Sequence, residues 1–114
     1  MAAIIELAER LGKAIADSPQ AADLRAAREE LDQHEDIKKT LEDFRVQQEK
    51  VAQLEAEQKP VEVDDKHKLQ ELHTALVSSE IFKGYTAAQV EYVDLMRKVN
   101  QAISSQLTAT EGAG

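Results

Sequence analysis

The sequence contains no cysteine. That excludes disulfides, thiolate nucleophiles and cysteine-bound zinc or iron–sulfur clusters, and it is compatible with the cytosol. Tryptophan is absent, and aromatic residues make up only 4% of the chain. Only two prolines and four glycines are spread through 114 residues, so few positions oppose a helix. No apolar run approaches the roughly 18 residues of a membrane span. The opening Met1-Ala2-Ala3-Ile4-Ile5-Glu6 turns acidic early, and its apolar run is too short for a signal peptide. Positive charge is also short: 14 basic residues face 22 acidic ones, for a net charge of -8. An acidic surface repels phosphate, which argues against direct nucleic-acid binding and against anionic membranes. The expected location is the cytoplasm.

What is present favours helix. Alanine, glutamate, glutamine, lysine and leucine dominate, and β-branched residues seldom cluster. Leu, Ile, Val and Phe together number 27, about 24% of the chain, just above the roughly 20% below which a chain tends to stay disordered. A core this thin, spread over long helices, implies apolar surface that a second copy or a partner covers.

Five helices are expected. Ile4, Leu7, Ala8, Leu11 and Ile15 fall on one face of the first, about residues 3–17, with Glu6/Arg10 and Glu9/Lys13 as i,i+4 pairs. Ser18-Pro19 is a cap followed by proline at the first helical position, opening a second helix to about Asp32. After a short break at residues 32–36, a long third helix runs to about Gln58. Ile37, Leu41, Phe44, Val51 and Leu54 form its stripe, with Gln48 filling the missing step. Lys59-Pro60 ends it, and the short linker turns the chain back as an antiparallel hairpin. Asp64 or Asp65 is expected to cap a fourth helix carrying Leu69, Leu72 and Leu76. Ser79 is expected to cap a long fifth, with the stripe Ile81, Tyr85, Ala88, Tyr92, Met96, Val99, Ile103 and Leu107. The expected architecture is all-α: an antiparallel bundle or hairpin of about five helices, two of them long, that dimerises. It forms one domain over residues 1–107, with a flexible tail over 108–114.

Candidate chemistry is sparse. Asp64, His67 and Glu71 share one side of the fourth helix and raise the reading of a small metal-dependent enzyme. His67 and His73, six apart, point away from each other. A di-iron site would need a second Glu-x-x-His copy, which is missing. A capping aspartate and solvated histidines are the ordinary reading. Paired carboxylates such as Glu29-Glu30 and Glu42-Asp43 lie on polar faces, where nothing shifts a pKa toward acid–base work. There is no G-x-S-x-G, no phosphate loop and no basic patch interleaved with aromatics. No catalytic, cofactor or metal residue is assigned. Interaction candidates are Phe44, Gln48, Val51, Ile81, Phe82, Tyr85 and Tyr92. The two tyrosines, seven apart on one face, suit either an interface anchor or a core position with hydroxyls at its rim. Gln48 suits either a register-setting polar residue or a partly exposed one.

The order of these segments resembles the YlbF/YmcA-like family of control-of-competence regulators. The resemblance spans roughly Ile4 to Ile103. It rests on the apolar first helix, the Ser-initiated second, and the run Ile37-Lys38-Lys39-Thr40-Leu41-Glu42-Asp43-Phe44 followed by Gln47-Gln48. After the proline linker come Ile81-Phe82-Lys83-Gly84-Tyr85-Thr86-Ala87-Ala88-Gln89, then Leu95, Val99 and Ile103. The resemblance implies an all-α protein that forms dimers or higher homo-oligomers and regulates in the cytoplasm through protein partners, without catalysis. Some relatives assemble with proteins governing competence, sporulation, biofilm formation and RNA processing. Some such complexes carry iron–sulfur clusters through cysteines, a property that does not transfer to a chain without cysteine. A chaperone-like helical protein is a further alternative, for which only Ile81-Phe82 offers an exposed apolar helix tip.

Overall fold

The computed structural model describes the backbone of residues 2–113 and the side chains of residues 2–109. Five helices follow one another: α1 (Ala2–Ala16), α2 (Pro19–Gln33), α3 (Glu35–Ala56), α4 (Val63–Val77) and α5 (Glu80–Ala113). No strand occurs among the described residues. The fold class is all-α, as the composition implied.

Each joint has a local cause. Between α1 and α2, Ser18 Oγ donates to the Ile15 carbonyl (2.6 Å) and accepts from the Ala21 amide (3.2 Å). It thereby closes one helix and caps the next, and Pro19 occupies a position whose N–H needs no partner. The break between α2 and α3 is a single extended residue, His34. Its Nδ1 lies 2.8 Å from the Glu30 carbonyl, at the end of α2. Glu35 and Asp36 stand in the first turn of α3, where the helix dipole favours negative charge.

The end of α3 is a Schellman turn. Lys59 N–H donates to Leu54 C=O (2.8 Å) and Gln58 N–H to Glu55 C=O (3.1 Å), with Gln58 left-handed at φ 58°. Pro60 follows where it cannot extend the helix. At α4 the expected cap is corrected: Glu62, not Asp64 or Asp65, holds the N-cap, without a side-chain bond. Asp65 is committed elsewhere, as described below. Ser79 does cap α5, its Oγ accepting from the Phe82 amide at 3.2 Å. The helical backbone of α5 then continues through Ala113 instead of ending near Leu107. Gly114, the last residue of the expected tail, lies outside the described residues.

The helices gather into two compact units, Met1–Ala26 with Thr86–Gly114, and Ala27–Tyr85. Within the second unit, α3 and α4 pack as an antiparallel hairpin. Phe44 meets His73, while Gln47 and Lys50, further along α3, meet Asp65 at the start of α4. Leu31 and Leu76 are buried there at 5% and 2% exposure, and Ile37, Leu41, Val51, Leu54, Leu69 and Leu72 are half-buried around them. These are the stripes expected from helical spacing.

The first unit is different. Ala21 is its one buried residue among the described positions. In α1 only Ile15 is even half-buried, although Ile4, Leu7 and Leu11 share its face. Lys13 pairs with Asp17 (3.5 Å) instead of Glu9.

Candidate functional site

The hairpin contains a polar cluster in an apolar setting. Gln47, 3% exposed, donates from Nε2 to the Asp65 carbonyl (2.9 Å) and to Asp65 Oδ1 (3.3 Å). Lys50 Nζ reaches the same Oδ1 at 2.9 Å. The ammonium first, then the amide, hold the Asp65 carboxyl below its ordinary range. This overturns the reading of Gln48 as the polar member of the α3 stripe: Gln48 is exposed. From Phe44 a step of three reaches Gln47 and a step of four reaches Gln48, and both fit a helix. The partner on α4 decides, because only the inward position reaches the half-buried Asp65 carbonyl and carboxylate together.

The other interaction candidates fall into separate places. Phe44 and Val51 line a groove of about 330 Å³ with Val61, Leu69 and His73. The Phe44 and His73 rings stand 6.0 Å apart, tilted by 39°. The groove's wall is mainly apolar, so it suits an aliphatic or aromatic side chain. Tyr85 lines a second groove of about 570 Å³ with Leu31 and Leu41. Four cationic residues (Arg28, Lys38, Lys39, Arg45) and four anionic ones (Asp32, Glu35, Glu42, Asp43) surround that groove, a balance that favours no charged ligand. Ile81 and Phe82 are half-buried in the first turn of α5. Tyr92, half-buried too, belongs to the first unit, whereas Tyr85 closes the second.

Asp64, His67 and Glu71 are each exposed. Among the described residues no three His, Asp or Glu side chains converge on a point where a metal ion would sit. Nor is any described helix long and apolar enough to cross a membrane.

The largest apolar surfaces escaped the candidate list. Ile4, Ile5 and Leu7 are 59–68% exposed, and Val90, Val93 and Leu107 are 59–65% exposed. Ile103 (48%) and Leu107 had been read as ordinary members of the α5 stripe. Val90 and Val93 lie off that stripe, and a second apolar line on one helix was the signal that pointed to them. Two basic residues here share one acid. Arg97 and Lys98 both bind Asp94, at 2.7 and 3.1 Å, and hold its carboxyl below the ordinary range.

Helices with open apolar faces in one unit and a two-helix hairpin in the other define an all-α protein. A family model described as control of competence regulator ComK, YlbF/YmcA, matches residues 4–108. The chain belongs to this family, which is a regulatory one and not a known enzyme family. No curated protein and no solved structure matches the chain.

Proposed function

We propose that this chain is a non-catalytic cytoplasmic regulator that works by associating with itself and by docking on protein partners. One observation carries the reading. Among its described residues the first unit buries a single alanine, yet exposes eight large aliphatic side chains: Ile4, Ile5, Leu7, Leu11, Val90, Val93, Ile103 and Leu107. Most helical stability comes from packing an amphipathic face, and α1 has no such packing within its own chain. Isolated exposed aliphatics need no explanation, but runs of them on helix faces mark interaction surfaces. The regulatory family supports the same reading, and the Phe44 and Tyr85 grooves offer room for a partner's side chains.

Sedimentation of the untagged chain from roughly 1 to 100 µM tests self-association. A mass of two or more chains is expected, and one chain throughout would refute it. Affinity capture tests docking. A defined partner should be retained by the unchanged chain and lost on Phe44→Ala or Tyr85→Ala while helicity is kept. Retention by both variants would place the docking face elsewhere.

A further inference from the structure

We propose that α5 carries a built-in hinge at Gly84, where the helix passes from one compact unit of the chain to the other. The start of α5 is fixed within the second unit. Ser79 Oγ accepts from the Phe82 amide (3.2 Å), the Lys83 amide donates to the Ser79 carbonyl (2.9 Å), and Lys83 Nζ pairs with Glu80 (3.3 Å). Ile81, Phe82 and Tyr85 are half-buried, and Tyr85 lines its groove with Leu31 and Leu41. From Thr86 on, outer α5 belongs to the first unit. The helix itself does not break there, because it is continuous from Glu80 to Ala113. One stretch of helical backbone thus joins two separately packed bodies, and Gly84 stands at the join.

Nothing local requires a glycine at this position. A Cβ built on Gly84 would meet no atom within 4 Å outside the helix's own nearby backbone. No turn needs it either, since no described glycine has a positive φ. Alanine would fit and would favour the helix. Glycine has the most conformational freedom to lose in a helix, so helical backbone opens most easily where it stands. Sharp helix bends need a local cause. Between residues 80 and 111, α5 contains no proline and no other glycine.

The other crossing is made by α2, between Ala26 and Ala27. That helix contains no glycine, and its one proline is its first residue. It therefore flexes as an unbroken helix, which curves gently, and it limits the swing that Gly84 permits. Each unit carries docking faces of its own: open aliphatics in the first, the Phe44 and Tyr85 grooves in the second. A partner that grips both selects the bend that suits it, and shifts the population of bends by its differential affinity.

The natural absence of cysteine allows the bend to be measured in the full chain. Glu71→Cys with Gln101→Cys, both at exposed positions, places one spin label in each unit. An excess of unlabelled chain removes distances between copies. The label-to-label distances should be broad in the parent, and Gly84→Ala should narrow them. Exchange of the amides of residues 85–88, whose helical bonds span the glycine, should slow by about two- to fivefold in the same variant. Gly12→Ala is the control. Gly12 also lies inside a helix with open space around it, but away from either crossing. Alanine there gains the same helix preference without touching a hinge, so the distances should stay as broad as the parent's. Equal widths for the parent and Gly84→Ala, unchanged exchange at 85–88, or an equal narrowing by Gly12→Ala would each overturn the hinge.

Discussion

Two adjacent glutamines separate what spacing can show from what contact decides. Gln47 and Gln48 have the same chemistry, yet only Gln47 reaches across to Asp65. Removing it takes a donor from the half-buried Asp65, which costs about 1–2 kcal/mol. Gln47→Ala should therefore lower unfolding free energy by about that amount, and exposed Gln48→Ala should stay within about 0.5 kcal/mol of the parent, both read from urea melts. Asp65 adds a pH dependence. Its folded pKa lies below the ordinary 3.8 because Lys50 and Gln47 stabilise the carboxylate. Around and below that value the unfolded chain binds more protons, so stability rises with pH there. The contribution is complete above the ordinary value and lost as pH falls through the folded one. Asp65→Asn should flatten the acid side of the stability–pH curve, and an unchanged acid limb would show that the ion pair contributes nothing.

At the scale of the element, the hairpin depends on one buried leucine and one unusual turn. Leu76, 2% exposed near the end of α4, is the most enclosed of the named apolar side chains. Leu76→Ala should cost about 2–5 kcal/mol, from lost transfer energy plus the cavity it leaves. The Schellman turn places Gln58 at φ 58°, where an L side chain is unfavourable by about 1–2 kcal/mol. Glycine removes that cost but loses more entropy on folding. The net expectation for Gln58→Gly is a gain of about 0.5–1 kcal/mol, seen as a raised melting temperature. A fall would mean that the glutamine side chain makes a stabilising contact of its own. The helices α1 and α5 obey a different rule. Their open faces are amphipathic as sequences, but within the chain little covers them.

For the whole molecule, stability and association are one question. A chain that binds its own copies only when folded gains stability by mass action, so its melting temperature depends on concentration. The expected outcome is a rise of several degrees between roughly 1 and 100 µM for the unchanged protein. A double variant, Ile103→Asp with Leu107→Asp, should show no such rise. A concentration-independent melt for the unchanged chain would argue that the exposed aliphatics of α1 and α5 serve something other than self-association.

Much of this protein was decided locally and could be read without coordinates. Scarce breakers, helical spacing, Ser18-Pro19, Pro60 and Ser79 each act through neighbours a few residues away, so five helices and the α3–α4 hairpin follow from order alone. Family membership was legible for a similar reason, since the sequence of segments carries it. The tertiary structure decided what depends on residues distant in sequence. Gln47, not Gln48, turns inward because Asp65 stands opposite it, eighteen positions further along. Glu62 takes the N-cap of α4, while Asp65, inside its first turn, is held by Lys50 and Gln47 from α3. The periodic faces of α1 and outer α5 look like core in one dimension, because an apolar stripe has the same spacing whether it meets its own chain or another. Only the packed chain shows which faces are covered, and those of α1 and outer α5 are left open.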